Sequence, residues 1–162
     1  MRELALFVAG LVAGTFLMPS SAAQTNTNPG LRLNHVGIAV TDFQKSLDFY
    51  TKVMGFRVAF KFPGPEGKPT TTFLQLNRDT FIEMAPASAN LPAGITHIGI
   101  ESADEKTTIL QLRQAGATVQ DARVSAQTNA LLSNVNDPDG IRLELVELTP
   151  DSLHKKAEDA WK

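Results

Sequence analysis

Two histidines and two glutamates in this chain stand at matched places. His35 and His97 are 62 residues apart (97 − 35), and Glu83 and Glu144 are 61 apart (144 − 83). Each histidine is followed two residues later by a glycine, Gly37 or Gly99, on the same face of an extended run. Glu83 shares a face with Phe81 in TFIEM, and Glu144 sits mid-run in IRLELV, where Ile141, Leu143 and Leu145 alternate with Arg142, Glu144 and Val146. A carboxylate among apolar neighbours must be solvated, paired or bound to a cation, because burying it alone is prohibitively costly. For one strand taken alone, a wet second face is the ordinary reading. A repeat that carries both the imidazole and the carboxylate shifts the balance toward a shared site. Two imidazoles and two carboxylates suit one divalent ion among Zn, Ni, Co, Mn and Fe, and a chain without cysteine has no thiolates for a closed structural zinc site. The competing reading is two core histidines and two wet carboxylates. Gly37 and Gly99 are expected to leave room for a bound ligand. Arg142 shares the face of Glu144 and either meets an anionic substrate or reaches solvent.

The elements that must position these residues follow from period and punctuation. Residues 31–40 read as a strand bearing Leu33, His35, Gly37 and Ala39 on one face. Thr41 or Asp42 can cap a helix in which Phe43, Leu47, Tyr50 and Met54 recur at helical spacing, with Gly55 as its stop and Tyr50 and Met54 as core. Strands are predicted at 56–62, 70–76 and 80–84. Between the first two lies PGPEGKP, a loop placed to cover something. The order then begins again: a strand at 95–101, a helix at 103–115 closed by Gly116, a strand-like stretch at 117–124, a polar loop at 125–130, and strands at 131–135 and 141–147 joined by the tight turn of Asp137-Pro138-Asp139-Gly140. The chain is thus an α+β protein of two βαβββ modules, residues 31–87 and 95–148. A polar tail at 149–162 is predicted to hold a short helix with His154 in solvent.

Length and charge bound the rest. At 162 residues, with 43% hydrophobic and 20% charged residues, this is an ordinary globular composition. A net charge of −2 with no basic block gives nucleic acid nothing to bind, and the partner expected is a small molecule. Residues 4–18 form an apolar run ahead of Ser21-Ala22-Ala23, which reads as a secretory signal cut after Ala23, with 24–30 as a linker. That run is shorter than the roughly 20 residues of a spanning helix, so no stable membrane anchor is expected. The mature protein is expected to be exported, periplasmic or secreted.

The stretches NHVGIAVTDFQKSLDFYTKVMGF, TFIEMA, THIGIE and NDPDGIRLELVE together resemble the vicinal oxygen chelate superfamily, which includes glyoxalase I. The resemblance implies two modules whose sheets curve into a cleft around a metal, paired within one chain or across a homodimer. It places metal ligands at His35, Glu83, His97 and Glu144, and it makes Glu144 and Glu83 the candidate catalytic carboxylates. The implied activity is that of a metal-dependent lyase or isomerase, in which a ligand-position glutamate, here Glu144, moves a proton between adjacent carbons of an oxygen-chelating substrate. Where glyoxalase I recognises glutathione it carries an arginine four residues after its first metal position and an asparagine four after its first glutamate; this chain has Ala39 and Ala87. Within the same superfamily, an Fe(II) dioxygenase would take His35, His97 and Glu144 as its triad, with only His154 and Tyr50 left to assist. Methylmalonyl-CoA epimerases share the proton-transfer logic with Gln as the usual second ligand. Drug-binding members of the bleomycin-resistance type do not keep the ligands.

Overall fold

In a computed structural model, which describes residues 30–67 and 69–162, the chain folds twice through the same order of elements. The first module is β1 (Arg32–Val40), α1 (Phe43–Asp48), β2 (Arg57–Pro63), β3 (Pro69–Asn77) and β4 (Thr80–Pro86). The second is β5 (Gly94–Glu101), α2 (Glu105–Gln114), β6 (Arg123–Val124), β7 (Leu131–Asn136) and β8 (Arg142–Glu147), followed by α3 (Leu153–Asp159). The predicted signal and linker at 1–29 lie outside the described residues. Among those described, no helix is long and apolar enough to cross a membrane.

All eight strands form one curved, open sheet in the order β2-β3-β4-β1-β5-β8-β7-β6. The order is a near mirror about the β1–β5 pair, which joins the modules antiparallel. On either side of it, β1 pairs parallel with β4 and β5 parallel with β8. The two modules therefore pair within one chain, by the first strand of each.

The two faces of the sheet are packed differently. Ile109 of α2 packs with Val119 and Leu145 on one face. On the other, α3 lays Ala157 against Phe73 and Phe81, with Phe60 and Phe62 beside them. Strand alternation puts Glu144 opposite to Leu145, and the register puts His35 beside Phe81, so the face under α3 is also the face of the four candidate ligands.

Several expectations need correcting here. Asp42 does cap α1, accepting from Lys45 N at 3.0 Å, and Gly55 stops the segment at φ 74°. Between them, however, the helix widens into a π-helical turn at Phe49–Val53. The extra residue breaks the 43, 47, 50, 54 face, and Met54 is half exposed instead of core. PGPEGKP closes the β2–β3 hairpin, and none of its described residues lines the site cavity. The strand-like 117–124 stretch reduces to a bridge at Val119 and the two residues of β6. The tail does form a helix, but His154 is buried at 2% exposure.

Candidate metal centre

The β1–β5 pair sets the four side chains together. In its register His35 lies opposite Gly99 and Gly37 opposite His97. The next strand out on each side then places Glu83 beside Gly37 and Glu144 beside Gly99. Each imidazole thus lies across the glycine of the other module. A Cβ on Gly99 would fall 2.1 Å from His35 Cε1 and Nδ1, and one on Gly37 would fall 2.1 Å from His97 Cε1. The space left by the glycines is therefore filled by the histidine rings, not by a ligand.

The result is a cluster of four donor atoms within 4.8 Å of one another. His35 Nε2 and His97 Nε2 are 2.9 Å apart. Glu83 Oε2 is 3.5 Å from the first and 3.2 Å from the second, and Glu144 Oε2 is 3.5 and 3.9 Å from them. Donors bound at about 2.1 Å to one cation stand about 3.0 Å apart when adjacent in an octahedron and about 4.2 Å when opposite, so these spacings fit a single divalent ion.

Two β-bulges fix the rings, a feature sequence reasoning missed. Asn34 is the extra residue of β1 and Thr96 the extra residue of β5, each directly before its histidine. Asn34 Nδ2 donates to Glu101 Oε2 at 3.2 Å, which turns its Oδ1 toward His35 Nδ1 at 2.9 Å. His35 Nδ1 must then carry the proton, and Nε2 presents a lone pair to the cluster. Thr96 Oγ1 stands 2.9 Å from His97 Nδ1 and can accept its proton in the same way. Two imidazole lone pairs and two carboxylates facing one point make an electron-rich centre that could hold a cation. The signal was available: Asn34 and Thr96 occupy matching places in the two modules.

The halves are not chemically equal. Arg142 Nη1 donates to Glu144 Oε1 at 3.2 Å and to Asn134 Oδ1 at 3.1 Å, so this arginine braces the second glutamate while also lining the cavity. Burial pushes the Glu144 carboxyl up, but its polar contacts, with the His35 ring and the Arg142 guanidinium among them, outweigh it and hold Glu144 below the ordinary carboxylate range. A cavity of about 230 Å³ opens over the cluster, lined by all four side chains together with Arg123, Arg142 and His154. His154 enters it from α3 with its ring stacked on His35 at 6.0 Å. Burial pushes His154 down to about 3, so the ring is neutral. Tyr50 stays outside, stacked on Phe56 beyond α1.

Over 125 residues the chain is 29% identical to the lactoylglutathione lyase of Escherichia coli and 28% identical to that of Neisseria meningitidis, in each case across 72% of this chain and more than nine-tenths of the relative. Its fold superposes on the methylmalonyl-CoA epimerase of Mycobacterium tuberculosis with a TM-score of 0.61 at 23% identity, over 73% of this chain and 88% of that one. With the superfamily model matching residues 32–145, on the strands that build this site, the chain belongs to the Glyoxalase/Bleomycin resistance protein/Dioxygenase superfamily.

Proposed function

We propose that the protein is a metal-dependent isomerase or lyase that moves a proton between adjacent carbons of a small hydroxy-carbonyl substrate. The observation that carries this reading is the convergence of His35 Nε2, His97 Nε2, Glu83 Oε2 and Glu144 Oε2 within 4.8 Å. A divalent ion held there would polarise the substrate oxygens and acidify the carbon between them. The histidines hold their lone pairs on the centre through Asn34 and Thr96. Glu144, kept ionised, takes the proton on a carboxylate oxygen and returns it to the neighbouring carbon. Arg142 holds Oε1 of that carboxylate in place through the transfer.

The size of the cavity supports a small substrate. At about 230 Å³ it falls below the roughly 300–1,000 Å³ of pockets that take drug-sized ligands. Ala39 and Ala87 stand where glyoxalase I has its glutathione-recognising residues, and α3 covers the phenylalanine half of the cleft. Both features favour a substrate without a tripeptide conjugate. Four side-chain ligands also argue against the Fe(II) dioxygenase reading, because an octahedral ion would keep two free positions, enough for a chelating substrate but not for dioxygen as well.

The test is a screen of small α-hydroxy ketones, α-hydroxy aldehydes and α-oxo aldehydes in deuterium oxide, with and without glutathione. The protein is loaded in turn with Ni²⁺, Co²⁺, Mn²⁺, Zn²⁺ and Fe²⁺. The expected result is chelator-sensitive deuterium incorporation at the substrate carbon without any thiol. A protein that takes up no metal yet binds small molecules would identify a sequestering relative, and iron-dependent oxygen consumption would identify a dioxygenase. Either result overturns the proposal.

A further inference from the structure

His154 is a buried side chain of α3 that lines the cavity over the four-donor cluster and whose ring nitrogens its packing does not use. The helix that carries it is tied down at both ends. Ser152 caps it by accepting from Lys155 N at 3.2 Å, and Leu153 N donates to Thr128 O at 2.9 Å. Arg57 Nη2 and Gln75 Nε2 both donate to Ala157 O, at 3.1 and 3.3 Å. The ring is therefore fixed where the helix sets it, over the cleft.

Its neighbours are the edges and faces of other rings. Phe73, Phe60 and Phe81 stand edge-on to it at 4.8, 5.0 and 5.1 Å between centroids. None of them offers a lone pair or a polar proton. His35 stacks on it, but both His35 nitrogens are engaged, one with Asn34 and one in the four-donor cluster. Neither nitrogen of His154 has a hydrogen-bond partner among the described residues, although the side chain is 2% exposed. Leaving buried polar atoms unpaired is destabilising, and a phenylalanine would complete this cage without that cost. His154 lines the site cavity together with His35, Glu83, His97 and Glu144.

We propose that His154 is a substrate-binding residue of this site, whose ring hydrogen-bonds an oxygen of the small hydroxy-carbonyl compound held over the four-donor cluster. The proposal rests on the function proposed above and deepens it. Either ring nitrogen, as N–H donor or as lone-pair acceptor, can pair with one carbonyl or hydroxyl oxygen of such a compound. A wholly apolar substrate would leave both unpaired. The C-terminal helix thus supplies the cleft with a recognition group that neither βαβββ module contains.

Acetohydroxamate, a bidentate oxygen chelator of the hydroxy-carbonyl type, tests this without any turnover assay. The protein is loaded with Co²⁺, whose visible bands report first the metal and then the chelator. In His154→Phe the expected result is Co²⁺ affinity within twofold of wild type, a melting temperature equal or higher, and acetohydroxamate affinity lower by about 10-fold or more, the worth of a hydrogen bond to a charged oxygen. His154→Gln, which restores a donor and an acceptor, should recover part of that loss, and it also serves if the phenylalanine variant fails to fold. Acetohydroxamate binding unchanged in both variants would make His154 a packing residue and overturn the proposal. Loss of Co²⁺ together with the chelator would overturn it too, by assigning the ring to the metal instead. A wild-type protein that takes up no Co²⁺ fails at the earlier step, refuting the metal reading and this role with it. One that takes up Co²⁺ but not acetohydroxamate refutes this role alone.

Discussion

Gly99→Ala tests the geometry of the centre without touching any proposed ligand. The ideal Cβ would lie 2.1 Å from His35 Cε1 and Nδ1 and 2.6 Å from Cγ, where an ordinary contact begins at 3.4 Å. The ring must therefore retreat by about 1.3 Å (3.4 − 2.1), far beyond the roughly 0.2 Å within which metal–ligand distances are held. It has no easy retreat, since His35 is 1% exposed and its Nδ1 is held by Asn34. Displacing one ligand of four should weaken Ni²⁺ binding by about 10²-fold, at or above the upper end of what outer-shell substitutions cost. Overpacking of this kind costs about 1–3 kcal/mol, so the metal-free protein should melt roughly 2–12 °C lower. Titration calorimetry with Ni²⁺ and thermal melts with and without metal read both effects. Gly37→Ala should act the same way through His97. A Gly99→Ala protein that binds Ni²⁺ like wild type, while His35→Ala does not, would show that the ring moves freely and that the cross-strand argument is wrong.

Glu144→Gln, at equal metal loading, should lower turnover by about 10²-fold or more while substrate affinity changes less, with Glu83→Gln milder; near-normal turnover in the Glu144 variant would remove the proton-carrier role. Glu105, buried in the first turn of α2, has its carboxyl pushed up to about 7 by burial, against the opposing pull of the Ser133 hydroxyl. The native state then holds this proton more tightly than the unfolded chain, whose value stays near 4.5, so stability falls as pH rises from about 4.5 through 7. Glu105→Gln should therefore raise the melting temperature at pH 8 and leave it nearly unchanged at pH 4, and a gain that is flat across pH would contradict this. Protein from the native host should begin near Gln24, and N-terminal sequencing that finds Met1 retained would count against export.

The sequence reveals the fold where period and repetition coincide. The strands bearing His35, Glu83, His97 and Glu144 read correctly because a two-residue alternation survives burial on either face. The duplicated spacing points to a shared centre, and the four side chains lie together in the fold. What stayed hidden depends on contacts that no local pattern encodes. The buried face of α3 is His154, Ala157 and Glu158, which contains no large apolar residue, so helical periodicity gives no sign that the tail packs on the sheet. The glycines suggest room for a ligand, but the β1–β5 register, which pairs His35 with Gly99 and Gly37 with His97 across 64 and 60 residues (99 − 35 and 97 − 37), fills that room with the histidine rings. The π-helical turn in the first module has no local signal either, since the sequence there reads as plain helix.

A duplicated frame explains why four donors meet, but it does not by itself make their roles different. By symmetry alone Glu83 and Glu144 would be interchangeable, and either could serve as the base. This chain breaks the symmetry at three places. Arg142 braces Glu144, whereas no arginine stands at the matching place beside Glu83: that residue, 61 positions earlier (142 − 61), is Phe81. Phe81 belongs to the cage that seats His154, so the same pair of matching positions gives a charged brace on one side and an apolar seat on the other. The third break is α3 itself, which follows the second module yet packs on the first. Around an even frame, one half of the cleft is thus charged and carries the braced carboxylate, and the other is aromatic and roofed by a histidine. Under the proposed function, such a site would present different surroundings to the two ends of a hydroxy-carbonyl substrate and so fix which carbon faces the Glu144 carboxylate.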